Sequence, residues 1–337
     1  MRVAVVHNEV GGSAAADEAD VLVQAECVVG ALGVLGHDSR KIACTLDLAT
    51  VRDRIVEYGP DVVFNLVESL DGSGRLIHLL PFLLQAMNIP FTGAPAEAVM
   101  ITSHKVLSKQ IMVASGLPTP KWIGHVPMVI GNASPLSEEV VAGSTWIIKS
   151  VWEHASLGLD SASILQPESR TELEALLSAR APLLGGECFA EGFVHGREFN
   201  LALLAGPEGV QVLPPAEIEF RDFGPHRPRI VDYRAKWDEN SFEYRNTPRT
   251  FDFPPGDTLL LHRLTQLAQS CWQVFGLKGY ARVDFRVDDG GRPFILEINA
   301  NPCLSPDAGY HAALLSAGTD FPAAVDRILQ DALRHKP

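Results

Sequence analysis

The sequence predicts an α/β protein with an open parallel sheet at its N-terminus and an α+β C-terminal part. Three observations support this. Apolar strand-like runs alternate with helical ones through the first 95 residues, the pattern of an open α/β sheet. Residues 280–302 carry period-two apolar spacing on either side of Asp288-Asp289-Gly290-Gly291, the turn chemistry of an antiparallel hairpin. At 337 residues the chain exceeds one typical domain, so two or three are expected.

The first unit begins with an apolar strand over residues 2–7 and a polar, Gly-rich loop over 8–13. Its spacing does not fit Gly-x-Gly-x-x-Gly, which sets dinucleotide binding aside. A helix over 21–36, a strand over 41–46, a helix over 48–58 and a buried strand over 61–66 follow. Ligands gather at the carboxyl ends of strands in such sheets. Glu68 and the turn Asp71-Gly72-Ser73-Gly74 are therefore expected at a substrate-facing rim, although a solvated loop carboxylate accounts for Glu68 equally well. A helix over 76–87 and a short strand over 89–92 close this unit.

One helix is expected over 96–115, containing Lys105 and stopped by Gly116-Leu117-Pro118-Thr119-Pro120. Residues 145–149 read as a strand ending in Lys149, where a compact charge beside a polar loop can reach a phosphate. A helix over 168–180 and strand-like sequence over 186–194 and 212–220 come next. The segment 221–253 is irregular and rich in Arg, Asp, Pro and aromatic residues, which suits a lid. A helix over 257–275, the hairpin, and an amphipathic helix from Asp320 complete the chain.

The hairpin carries the chemistry. Period-two spacing puts Arg282, Asp284 and Arg286 on one face of its first strand, and Glu297, Asn299 and Asn301 on one face of its second. Asp284 and Glu297 can then meet across the pair. Two carboxylates and an amide oxygen beside an arginine are hard oxygen ligands suited to Mg²⁺ bridging substrate phosphates. A solvated outer face would also explain either carboxylate alone, but strands rarely place Asn, Asn and Pro together as in Asn299-Ala300-Asn301-Pro302.

Composition narrows the function. A net charge of −13 without a basic run argues against nucleic acid as a partner. The apolar stretches 21–35 and 76–87 include Gln24, Glu26, His78 and Pro81, so they fit core helices and no membrane span is expected. Five cysteines without a Cys-x-x-Cys pair suggest free thiols in a reducing compartment. Strand-like sequence starts directly after Met1-Arg2, so no signal peptide is expected and the localisation expected is cytoplasmic.

The Arg-x-Asp and Glu-x-Asn pattern of the hairpin, followed by Pro302, resembles the metal-binding end of the ATP-grasp superfamily. Within it, the pattern resembles specifically the D-alanine:D-alanine ligase branch. The resemblance implies a three-domain ATP-grasp fold: an N-terminal α/β substrate domain (1–95), a central subdomain (96–183) and a C-terminal subdomain (184–337) with the lid 221–253. It implies Lys105 and Lys149 as ATP lysines and Glu191, Gly192, Phe193 and Val194 as the adenine hinge. Glu198 would hold the ribose hydroxyls. Lys236 would contact the transferred phosphate, and Asp284, Glu297 and Asn299 would hold Mg²⁺, or Mn²⁺ in its place. Arg282 would stabilise the oxyanion.

The substrate positions implied are Glu68, Trp237, Cys303 and Ser305. Four departures stand out: Gly192 in place of a frequent lysine, Ala155 in place of a serine, Trp237 in place of a tyrosine, and Cys303 in place of a common glycine. Cys303 reads either as a small pocket residue or as a thioester-forming nucleophile. The activity implied is an ADP-forming carboxylate-amine ligase working through an acyl phosphate on small-molecule acid and amine substrates, as a homodimer. The alternatives are an authentic D-alanine:D-alanine ligase of cell-wall synthesis, or a kinase or non-amide ligase on the same scaffold.

Overall fold

The computed structural model describes residues 1–12, 16–124, 136–153 and 156–335. In the first unit, β1 (Arg2–Asn8) runs parallel to both β2 (Asp38–Cys44) and β3 (Val62–Asn65), in the order β2-β1-β3. Alternate residues of β1 face opposite ways. Val3 and Val5 pack with Val28 and Leu32 of α1 (Ala16–Val34). Ala4 and Val6 pack with Ile55 of α2 (Leu48–Tyr58) and Leu80 of α3 (Leu79–Ala86). A parallel sheet covered on both faces needs such an unbroken apolar strand. The expected strand over 89–92 reduces to a single bridge between Val63 and Phe91. Pro90 accepts from the Val63 N–H but has no N–H to extend the ladder.

The expected helix over 96–115 is two helices, α4 (Ala96–Ser103) and α5 (Lys105–Ala114). His104 breaks them apart with an extended backbone, and its Nδ1 accepts the N–H of Leu107 at 3.1 Å. Burial lowers the His104 pKa, which favours the neutral ring that this cap requires. Lys105 thereby becomes the first residue of a helix.

A four-stranded antiparallel sheet follows. Its strands are β4 (Trp122–Gly124), β5 (Trp146–Ser150), β6 (Ile164–Leu165) and β7 (Cys188–Gly192), in the order β4-β7-β5-β6. Trp146 and Ile148 face the helices α6 (Glu138–Ala142) and α7 (Arg170–Arg180), where Val141, Leu173 and Leu177 complete the core. The intervening residues Ile147 and Lys149 line a cavity on the opposite face.

β7 pairs with β5, and the chain then crosses to a six-stranded sheet between Gly192 and Arg197. The strands are β8 (Arg197–Gly206), β9 (Gly209–Val212), β10 (Ala216–Ile218), β11 (Arg249–Thr250), β12 (Tyr280–Val287) and β13 (Pro293–Asn299). Their order is β11-β10-β8-β12-β13, with β9 on β8. The strand expected over 212–220 is thus split, one part pairing at each end of β8.

Within residues 221–253 stand two short helices, α8 (Tyr233–Trp237) and α9 (Phe242–Arg245). Then come α10 (Thr258–Val274), α11 (Gly309–Ser316) and α12 (Phe321–Arg334), the last capped by Asp320. Ile328 and Leu329 of α12 share one core with Val28 of α1 and Leu204 of β8, which ties the first unit to the large sheet. Among the described residues no helix is long and apolar enough to cross a membrane.

Candidate active site

The hairpin sets the register on which the site is built. Asp284 lies opposite Glu297 and Arg282 opposite Asn299, and a bulge follows Asp284. The Asp284 carboxylate accepts from Arg282 Nε at 2.8 Å and Nη2 at 2.9 Å, from Asn200 Nδ2 at 2.8 Å and from Asn299 Nδ2 at 3.2 Å. Burial disfavours the charge on Arg282, but Asp284 outweighs it and raises the guanidinium pKa. These residues line a cavity of about 450 Å³ between the two antiparallel sheets, and Lys105, Lys149 and Lys236 line it too.

Each lysine is held differently. Lys105 donates to the main-chain oxygen of Glu153 at 2.7 Å and lies 3.9 Å from Glu297. Burial lowers the pKa of Lys105 and of Lys236, and Glu297 opposes the shift in both. Lys149 is anchored on Glu191 at 2.6 Å. The other oxygen of Glu191 pairs with Lys109, which is wholly buried and also donates to Thr119 Oγ1 at 2.7 Å. Thr119 in turn donates to the main-chain oxygen of Ile295 on β13. Burial alone would raise the Glu191 pKa, but the two lysines lower it. The sequence reading missed Lys109. The available signal was its place one helical turn after Lys105, on the same face of α5.

Of the expected adenine hinge, Glu191, Phe193 and Val194 line the cavity and Gly192 does not. The Gly192 and Phe193 N–H groups are taken by the main-chain oxygens of Lys121 and Thr145. A Cβ on Gly192 would stand 2.9 Å from Lys121 Cγ, so the Lys121 side chain occupies the space any larger residue would need. Glu198 pairs with Arg286 at 3.0 Å, and burial raises the pKa of its carboxyl against the pull of that arginine. Arg286, given no task by the sequence reading, lies 5.6 Å from the Phe193 ring centre and 5.3 Å from that of Phe220. It orders the wall around Glu198.

At the other end, Glu68, Trp237 and Cys303 line the cavity together with Asp20 of α1. Ser305 does not. It is fully buried, and its hydroxyl donates to Asp20 Oδ1 at 2.6 Å. The Cys303 thiol donates to Asp20 Oδ2 at 3.0 Å. Burial, with Glu68 and Asp20 adding to it, pushes the thiol pKa well up, which works against a thiolate nucleophile. Gln24 donates to Glu68 at 2.7 Å and accepts the Leu304 N–H. Asn301, on the polar face of the hairpin, is tied to Tyr280 and to the main chain of Val67. Asp20 was missed because the helix was expected to start at Val21. Ala155 lies outside the described residues.

Asp284, Glu297 and Asn299 face one cavity, and among the described residues no three His, Cys, Asp or Glu side chains form a closed cage. Two carboxylates and an amide fit an ion of the Mg²⁺ type, which keeps waters and takes phosphate oxygens.

Comparison with known proteins agrees with this geometry. The family described as D-ala D-ala ligase C-terminus matches residues 111–330. The chain is 29% identical to a D-alanine:D-alanine ligase of Moorella thermoacetica, over 99% of both chains. It is 30% identical to one from Synechococcus sp. (strain JA-3-3Ab), covering 96% of this chain and 92% of that protein. In fold it is similar to the Bacillus anthracis D-alanine:D-alanine ligase solved with ATP, with a TM-score of 0.74 and 18% identity, covering 99% of this chain and 98% of that one.

Proposed function

The chain belongs to the D-alanine:D-alanine ligase family, and from that premise we propose that it joins an amino acid or a related carboxylate to an amine through an acyl phosphate. It is an ATP-dependent, ADP-forming carboxylate-amine ligase. The observation that carries the proposal is the convergence of Lys105, Lys149, Lys236, Arg282, Asp284 and Glu297 on one cavity.

ATP would enter between the two antiparallel sheets. Phe193 and Val194 would face the adenine, and Glu198, steadied by Arg286, would accept from the ribose hydroxyls. Lys105 and Lys149 would hold the phosphates as compact charges and Lys236 would follow the γ-phosphoryl group during transfer. Asp284, Glu297 and Asn299 would hold Mg²⁺, which would supply neutralisation of the phosphate charge.

Transfer to the substrate carboxylate gives the acyl phosphate, and the amine then attacks its carbonyl carbon. Arg282, fixed by two bonds to Asp284, would donate to the oxyanion before phosphate leaves. The lid would exclude water, which otherwise hydrolyses the intermediate. Asp20 and Glu68 line the substrate end, where an ammonium group would be favoured.

A second reading, synthesis of D-alanyl-D-alanine itself, is favoured by the names of the relatives. Trp237 lining the substrate end, where the resemblance implies a tyrosine, favours a different acid or amine. On the family resemblance we also propose a cytoplasmic homodimer, with Mg²⁺ as its metal, acting on small molecules. ADP release with ATP and Mg²⁺ across amino acids, singly and in pairs, separates the readings. D-alanine alone sustaining full turnover would support the second, and turnover only with another pair would support the first.

A further inference from the structure

Arg249 is a cation that the reaction outlined above leaves without a task. It stands on β11, where Arg249 is opposite Ile218 and Thr250 opposite Glu217, so its backbone is fixed on a sheet edge. Its side chain lines the same cavity. Nη1 donates to the main-chain oxygen of Asp307 at 3.1 Å, which leaves most of its five N–H donors open. Among the described residues no carboxylate forms an ion pair with it. Arg282 is committed to Asp284 and Arg286 to Glu198.

The space for this guanidinium is kept by a glycine, since a Cβ on Gly309 would come within 3.3 Å of Arg249 Nε. Arg249 is exposed at the mouth of the cavity, where partial desolvation and Arg282 lower its pKa while Asp307 opposes the shift. An arginine keeps its charge under these influences. Arg282, Asp307, Tyr244 and Cys303 are its electrostatic neighbours, so it stands beside the phosphoryl-transfer centre, at the substrate end.

We propose that Arg249 is a specificity-determining residue that binds a substrate carboxylate which takes no part in bond formation. The proposal rests on the ligase reading above and narrows its substrate class to molecules that keep a free carboxylate next to the new amide bond. An amino acid used as the amine keeps one, and so does a dicarboxylic acid used as the acid. A planar fork with open donors suits a carboxylate better than a neutral group.

The test compares wild type with R249Q and R249K. Each enzyme is given ATP, Mg²⁺ and the D and L forms of alanine, serine and valine, each as the free amino acid and as its carboxamide. Glutarate and butyrate are offered as a diacid and a monoacid. The expected result is a fall in kcat/KM of about 10- to 100-fold in R249Q for the free carboxylate, the loss of one charge-assisted hydrogen-bonded pair. R249K should recover part of it, and KM for ATP and rates with carboxamides should stay within about twofold of wild type, as for contacts outside the changed site.

Loss confined to the amino-acid amines assigns the carboxylate to the amine, and loss confined to glutarate assigns it to the acid. An equal fall on carboxylate and carboxamide forms, or no fall, would overturn the proposal. Absence of turnover with every pair in wild type would overturn the ligase reading instead. Equilibrium binding of the same probes to the protein holding a non-hydrolysable ATP analogue then still decides for Arg249: unchanged affinity in R249Q would overturn the subsite.

Discussion

Glu191 holds Lys149 at 2.6 Å while its other carboxylate oxygen is paired with the buried Lys109. One carboxylate thus serves two lysines, and only Lys149 reaches the cavity. The cavity lysine is aimed from β5 by a carboxylate on β7, which is itself fixed from α5. Removing Lys109 leaves the arrangement short of a buried charge.

We expect Lys109→Met to lose about 3 kcal/mol of stability, the lower end for breaking a buried pair, because Lys149 still partners Glu191. Denaturant unfolding of the single variants and of K109M/E191Q measures it, and the double variant should lose less than the sum. The pH dependence has a definite sign. The folded pKa of Glu191 lies below its ordinary value of 4.5, so its stabilisation is complete above that pH and is lost as pH falls through the folded value. The stability gap between wild type and Glu191→Gln should therefore narrow on acidification below 4.5. A gap that widens there would contradict the ion-pair assignment.

Asp284→Asn and Glu297→Gln should each reduce turnover at least about 100-fold, the scale on which metal-site residues act. The fold should persist in both, since each amide keeps the size of the carboxylate it replaces. Circular dichroism reports the fold, and ADP release reports activity. A chelator should abolish wild-type turnover, and added Mg²⁺ or Mn²⁺ should restore it. Full activity in either variant would remove the metal assignment.

Gly192→Lys introduces the residue that the family resemblance suggests, and here it should fail. Its Cβ would meet Lys121 at 2.9 Å, and overpacking of this kind costs about 1–3 kcal/mol. A thermal scan checks stability, and KM for ATP should rise because Phe193 and Val194 follow directly. Combining G192K with Lys121→Ala should restore part of both.

Cys303→Ala should keep turnover within a few-fold of wild type, since a half-buried thiol bonded to Asp20, with its pKa pushed well up, is a pocket residue. Mass spectrometry of wild type quenched during turnover should show no acyl adduct on Cys303. An adduct would revive the thioester reading.

The pairing of Asp284 with Glu297 is legible in the sequence, because the turn at 288–291 fixes the hairpin and period two then fixes which residues face each other. Of the three cavity lysines, Lys149 is legible as a strand end, whereas Lys105 and Lys236 are legible only through the family resemblance. The break at His104 is not, since a histidine cap depends on burial that holds the ring neutral, and nothing in the local pattern shows it. Asp20 and Ser305 were out of reach because their contact spans 285 positions and only tertiary packing creates it. The same distance turned Ser305 from an expected cavity residue into a buried support for Asp20. Arg249 lay within a segment that read as irregular, and its strand pairing with β10 is what fixes it at the cavity.

The central claim is that the carboxylate passes through an acyl phosphate before the amine attacks. The most direct measurement is isotope transfer from an acid whose carboxylate carries ¹⁸O, followed in the inorganic phosphate released with each amide. The account predicts that one carboxylate oxygen appears in phosphate for each amide formed, and that phosphate release depends on the amine. Unlabelled phosphate alongside amide product, or stoichiometric phosphate release that ignores the amine, would contradict it.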